Sequence, residues 1–373
     1  DGISPSSLLV PQRGDNLNVS AISQRTSETN IRPIGIIVKI QIIKAYVGGF
    51  CYCIVVFRSY FYRPGRVPIT YFRQVALDAH AHLDPRDHSL AESFDYCSTL
   101  TLSHYENFPV GSFLIPKLLR PHVYSIYAFA RIADDFADEP GMEPPERLSR
   151  LDEWGENLSS CLESPKGPVF TALAETIRVH EIPMVLLSDL LHAFRSDVTT
   201  SRHQTFTDLL NYCRGSANPV GRLVLHLFGY QDPGYGIKSD AICTALQLTN
   251  FWQDIAIDFS RDRIYLPVQE MVSFGVSEEH LTRELVTSEF RDLMISLINR
   301  TRDLYLTGSD LPNLVKGRLK YELRLTWLGG NGILDRIVKA DYDIFRCRPK
   351  LRKWDMLSFL LKSLISTHRK KAD

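Results

Sequence analysis

Two acidic repeats set inside helical text constrain this chain more than any other feature. They are Arg131-Ile132-Ala133-Asp134-Asp135-Phe136-Ala137-Asp138-Glu139 and Gln247-Leu248-Thr249-Asn250-Phe251-Trp252-Gln253-Asp254-Ile255-Ala256-Ile257-Asp258. In each, two carboxylates stand at i and i+4, on one face of an α-helix and one turn apart. Asp134 and Asp138 form the first pair, Asp254 and Asp258 the second. Like charges stacked in this way destabilise an isolated helix by about a few tenths of a kcal/mol, so the fold must offset them. Taken alone, the first pair fits a solvated acidic face as well as a site, although Tyr127, Phe129 and Ala130 upstream argue against full exposure. The second pair sits among Leu246, Phe251, Trp252, Ile255 and Ile257, which predicts a buried helix whose acids need a cation or hydrogen bonds. Gln247, Asn250, Asp254 and Asp258 follow i, i+3, i+7 and i+11, a single stripe.

The surroundings are helical throughout. From about Ser89 apolar residues recur at three- and four-residue spacing, as in Val123, Ile126, Tyr127, Ala130 and Ala133, then Leu186, Leu190, Ala193 and Phe194. Turn signals fall at residues 139–145, 164–168, 229–236 and at Gly329-Gly330-Asn331-Gly332. No βαβ rhythm and no internal repeat is visible, so residues 89–373 are expected to form one all-α catalytic domain. Residues 1–88 read as a leader, poorly structured or a non-native extension, rich in Ser, Asn, Pro and Arg, with an apolar patch from Ile31 to Phe57. Lys39 and Lys44 interrupt that patch, leaving less than the roughly 20 apolar residues of a membrane span. Its Ile, Val, Tyr and Phe content predicts a short hairpin or disorder. The chain begins at Asp1 and its first methionine is Met142, from which part of the leader is expected to be translated upstream sequence, with a non-AUG start before Leu90. A peptide map of the natural protein containing residues between Ile31 and Tyr62 would overturn that expectation.

Two acid stripes on facing helices make an all-oxygen site, which suits hard Mg²⁺ rather than zinc or haem and in turn invites phosphate oxygens. Basic partners lie close by in Arg131, Arg261 and Arg263, with Tyr265. Di-iron proteins would require Glu-x-x-His motifs, which are absent. Lys+Arg and Asp+Glu are 43 each, and this zero net charge argues against a nucleic-acid binder. The seven cysteines show no C-x-x-C pairing, so neither a disulfide scaffold nor a zinc site is expected, and a cytoplasmic, reducing location is. His80, His82, Asp84 and His88 lie in a polar stretch and read as solvated, as do residues 345–349 and the basic tail Arg369-Lys370-Lys371.

Both motifs, with Tyr127-Ala128-Phe129-Ala130-Arg131 before the first and Arg263-Ile264-Tyr265-Leu266-Pro267 after the second, resemble the squalene/phytoene synthase family of head-to-head prenyl transferases. The resemblance runs from about Ser89 to Asp355. Between the motifs, Tyr212-Cys213-Arg214-Gly215-Ser216-Ala217-Asn218-Pro219-Val220-Gly221 resembles the family's cavity-lining segment, with Phe194 and Asp197 upstream. The resemblance implies an isoprenoid-synthase helical bundle with a central prenyl cavity, and a Mg²⁺ cluster on Asp134, Asp138, Asp254 and Asp258 that grips diphosphate. It further implies a catalytic Tyr212, and substrate contacts from His104, Asn107, Phe108, Tyr127, Arg131, Phe194, Ala217, Val220, Gly221, Gln247, Asn250, Arg263 and Tyr265.

The departures from the family pattern narrow the expectation. His104-Tyr105-Glu106-Asn107-Phe108 stands where most members carry His-Ser-x-Ser-Phe, and Gln253 where an Arg usually precedes the second pair. With Glu322-Leu323-Arg324-Leu325-Thr326-Trp327-Leu328-Gly329-Gly330, these resemble the bacterial hopanoid-pathway subgroup that makes hydroxysqualene from presqualene diphosphate. The expected reaction is therefore ionisation of presqualene diphosphate, rearrangement of a cyclopropylcarbinyl cation and capture by water. A condensing enzyme making presqualene diphosphate, squalene or phytoene is the alternative. A catalytically silent prenyl-diphosphate-binding partner is a third, disfavoured because such a protein has no physical reason to keep mutually repelling aspartates. Partners expected besides the prenyl diphosphate are other pathway enzymes and, peripherally, a membrane surface.

Overall fold

The computed structural model describes residues 41–42, 55–56, 88–103, 114–138, 141–346 and 348–364. All belong to one unit, Val38–Asp373. Helices run through it in the order α1 (Leu90–Ser103), α2 (Arg120–Asp138), α3 (Pro144–Ser160), α4 (Gly167–His180), α5 (Met184–Thr199), α6 (Phe206–Ser216) and α7 (Asn218–Leu227). There follow α8 (Pro233–Phe259), α9 (Val268–Ser273), α10 (Glu278–Thr282), α11 (Ser288–Thr307), α12 (Leu311–Leu314), α13 (Gly317–Lys339) and α14 (Lys353–Leu364). Before α1, β1 (Gln41–Ile42) pairs antiparallel with β2 (Val55–Val56), which lies against α13. Residues 1–40, 43–54 and 57–87, including His80, His82 and Asp84, lie outside the described residues, as do Arg369 to Lys371.

Sequence chemistry explains the helix starts. Thr205 caps α6 by accepting from the Asp208 N–H at 3.0 Å, while Asp208 accepts in return from the Thr205 N–H at 2.9 Å. Asp232 caps α8, with Pro233 pre-set for its first turn. The strongly apolar stripe of α2, with Val123, Tyr127, Ala130 and Ala133, turns inward against α1, α3, α4 and α5. Helix α8 plays the same central part for α6, α7, α11 and α13.

Apolar packing falls into two clusters. One joins α1 to α5 around Phe129, Trp154, Phe170 and Phe194. The other joins α6 and α8 to α13 around Phe251, Trp252, Phe290 and Tyr305, and Phe228 touches both.

One sequence expectation is corrected here. Gly329-Gly330-Asn331-Gly332 is no turn but the middle of α13. A Cβ at Gly330 would collide with the Tyr305 hydroxyl and crowd Leu246, and one at Gly332 would meet Phe359. Their smallness serves close helix packing, which local sequence cannot distinguish from a turn.

Among the described residues no helix is long and apolar enough to cross a membrane. The described cysteines Cys97, Cys161, Cys213 and Cys243 are all free.

Candidate active site

Asp134 and Asp138 lie on the last turns of α2, Asp254 and Asp258 on the last turns of α8. Three arginines join them. Arg131 reaches Asp134 at 3.3 Å, and from the same helix it also pairs with Asp135. Arg263 donates to Asp138 across the two clusters at 2.6 Å, and Arg348 donates to the fully buried Asp254 carboxylate at 2.6 Å. Arg263 is aimed by the turn after α8. The N–H groups of Arg261 and Arg263 both bond the Asp258 carbonyl, and Asp262 adopts a left-handed φ of 57° between them. Beyond it, Ile264, Val268 and Gln269 donate to the carbonyls of Ser201, His203 and Gln204, which fix this loop to the segment before α6.

Behind the carboxylates stands an aromatic wall. The rings of Phe251 and Tyr265 stack with centroids 3.8 Å apart and an angle of 9°. Tyr212 lies beside both, and its hydroxyl donates to Asp197 Oδ1 at 2.7 Å. A small cavity of ≈ 10 Å³, at the lower limit for one water, touches Phe251, Asp258, Arg263 and Tyr265. Burial governs the charge states. It pushes the Asp134 carboxyl well above the carboxylate range, only partly opposed by Arg131, and raises Asp197 to about 8. It also drives the Tyr212 and Tyr265 phenols upward, with the Asp197 charge adding to both.

The remaining expected residues distribute as follows. Gln247, Asn250, Asp254 and Asp258 are all buried on the one stripe of α8 that their spacing predicts. The Asn250 amide stands 3.5 Å from Asp254, while Trp252 on another face donates to Thr301. Tyr127 and Phe194 are buried in the first cluster with Ala217, against which Val220 packs. Gly221 lies where α7 meets α8, and a Cβ there would strike Ser239 and Cys243. His104, Asn107 and Phe108 lie outside the described residues.

Sequence reasoning mistook residues 345–349 for a solvated end. Pro349 is buried, Phe345 packs on Phe290, and the Gln253 amide donates to the Pro349 carbonyl just beside the Arg348 to Asp254 bridge. A lone basic residue 94 positions from its partner leaves no periodic signal in a sequence. For Asp197 the sequence offers one signal, an acid on an otherwise apolar helical face.

Among the described residues no three acid, His or Cys side chains converge into a ready-made metal cage. The donor set nevertheless suits a hard cation. Asp134 Oδ1, Asp197 Oδ2 and Asn250 Oδ1 are buried oxygens with no hydrogen-bond partner, and Asp134 is held toward its neutral form. A divalent ion would reverse that cost of burial. Mg²⁺ on these carboxylates thus fits the residues present.

Comparison with known proteins agrees with this picture. The family model described as squalene/phytoene synthase matches residues 102–355. Hydroxysqualene synthase of Zymomonas mobilis is 36% identical over 207 residues, 55% of this chain and 69% of that protein. Phytoene synthase of Arthrospira platensis is 28% identical over 284 residues, 72% of this chain and 92% of its own. The crystal structure of squalene synthase HpnC from Alicyclobacillus acidocaldarius superposes with a TM-score of 0.65 at 38% identity, covering 70% of this chain and 98% of that one.

Proposed function

Because the chain belongs to the squalene/phytoene synthase family, whose enzymes act on prenyl diphosphates in isoprenoid biosynthesis, we propose that it converts presqualene diphosphate to hydroxysqualene with Mg²⁺, a step toward squalene and hopanoids. The observation that carries this reading is position 253. A neutral Gln stands there in place of the family's usual Arg, and its amide is turned onto the Pro349 carbonyl. That removes one cation from the diphosphate region and suits an enzyme that handles a single diphosphate. The 36% identity to a hydroxysqualene synthase, against 28% to a phytoene synthase, supports the same choice.

Asp134, Asp138, Asp254 and Asp258 would hold Mg²⁺, which when bound supplies positive charge for the departing diphosphate oxygens. Arg131, Arg263 and Arg348 keep further positive charge at both motifs, and their guanidinium forks match phosphate geometry. The aromatic faces of Tyr212, Phe251 and Tyr265 offer π density to the carbocation, and their burial restricts water until capture. Tyr212, with its proton directed at Asp197, can accept a hydrogen bond from the attacking water. Only the ionised form of Asp197, which gains population as pH approaches about 8, can take up the water proton through Tyr212 as the carbon–oxygen bond forms.

Residues 1–88 are proposed as a leader to a catalytic domain spanning 89–373. The free described cysteines support a cytoplasmic location. Incubation of purified protein with Mg²⁺ and no NADPH, followed by lipid extraction and mass spectrometry, tests the reaction. Presqualene diphosphate should give hydroxysqualene and farnesyl diphosphate should stay largely unreacted. A thirty- or forty-carbon product from farnesyl or geranylgeranyl diphosphate alone would establish the condensing reading instead, which the longer alignment with phytoene synthase favours.

A further inference from the structure

Away from both acidic motifs, a cavity of ≈ 520 Å³ opens between α12, α13 and α14. Its size falls in the range of small-molecule sites. Pro312, Trp327 and Leu328 supply apolar wall, and the Trp327 N–H is already committed to the Tyr305 carbonyl at 2.8 Å, which leaves its ring for contact. Arg324 and Lys362 stand in the same wall. Arg324 is fixed by donating to the Ser363 carbonyl at 2.8 Å and to Asn313 at 2.7 Å, so only part of its five-donor fork is occupied. The nearest acid in sequence before this wall, Asp310, is engaged by Lys238. A cavity that is mostly apolar with two cations at its edge selects an amphiphile with an anionic head.

The surface around it indicates where that amphiphile comes from. Leu314 and Leu361, each next in sequence to a lining residue, are 44% and 54% exposed, and Trp354 on α14 is 78% exposed. Lys316 and Arg318 are exposed at the start of α13. A soluble lipid diphosphate would leave these apolar side chains in water. A bilayer covers them, and Trp with Lys or Arg is the composition of a membrane interface.

We propose that the α12–α13–α14 cavity binds an anionic phospholipid, its acyl chain against Trp327 and Leu328 and its phosphate on Arg324 and Lys362, and so docks the protein on an anionic bilayer. The site requires no turnover, so its failure would leave the proposed reaction untouched.

The test uses the full chain and sedimentation with vesicles of phosphatidylcholine alone or mixed equally with phosphatidylglycerol. Binding should be confined to the anionic vesicles and weaken as salt rises. A Leu361→Ser/Lys362→Glu variant, changed only at exposed positions, should keep its thermal transition and bind about tenfold or more weakly, since each charge near such a surface is worth about 1 kcal/mol. In Trp354→Phe, lipids brominated on their acyl chains should still quench tryptophan emission, because Trp154 and Trp252 are fully buried and Trp327 remains at the cavity. Equal binding to neutral vesicles, indifference to the double variant, or no quenching in Trp354→Phe would overturn the proposal. So would displacement of the vesicles by farnesyl diphosphate, which would give the cavity to a soluble lipid diphosphate.

Discussion

Each carboxylate of the two motifs stands in a different setting, and that governs what its loss should do. Asp134 and Asp254 are almost fully buried, whereas Asp138 keeps about a third of its side chain in solvent. Asp134→Asn and Asp254→Asn preserve volume but remove charge where the proposed reaction would release diphosphate, so turnover of presqualene diphosphate should fall about a hundredfold or more with circular dichroism unchanged. Near wild-type rates at limiting Mg²⁺ would refute the carboxylate assignment. Asp197 makes a different prediction. Its carboxyl is raised by burial to about 8, so the folded state holds a proton that the unfolded state has released above about pH 4. The contribution of Asp197 to stability is therefore lost progressively as pH rises from about 4 to about 8 and is flat above that. In Asp197→Asn this loss is absent, and the decline of Tm between about pH 5 and pH 8 should be shallower than in the wild type; parallel curves would disprove the assignment. At this scale the sequence was most legible where a residue belonged to a stripe: Gln247, Asn250, Asp254 and Asp258 declared their common face by spacing alone. Arg348 did not, because its role depends on a chain crossing that no local pattern encodes.

Helices α2 and α8 were readable because apolar periodicity and the acid pairs coincide on them. Helix α13 was misread at its centre, since Gly-rich text signals both a turn and a close approach, and only the tertiary partner decides. That partner is Tyr305, buried and bonded to the Thr249 hydroxyl at 3.1 Å. A Gly330→Ala substitution should therefore act as overpacking at the α8–α11–α13 contact, although Ala has the better helix propensity. Chemical denaturation should show a loss of about 1–3 kcal/mol. A gain in stability would mean that the helices separate without cost.

Over the whole molecule, two apolar clusters share Phe228, and the Asp138 to Arg263 bridge ties α2 to the turn after α8 between residues 125 apart in sequence. All-α architecture followed from periodicity, whereas the pairing of helices did not, because an amphipathic face specifies burial and not its partner. Deletion of residues 1–88 should leave activity within about twofold and shift Tm by only a few degrees, the size expected for about 1 kcal/mol at β2 and α13. A larger fall, or insolubility, would place the leader in the core. The loop that carries Arg348 and Pro349 over the second motif has a bearing on the protein's synthesis. Domains fold from the N-terminus as the ribosome delivers them, at roughly 5–20 residues per second. Both aspartate motifs are therefore outside the ribosome and collapsing while the segment that clasps Asp254 and Gln253 is still untranslated. A nascent chain thus passes through a stage with both acid pairs synthesised and no clasp, and the second motif is completed only once Arg348 and Pro349 have followed.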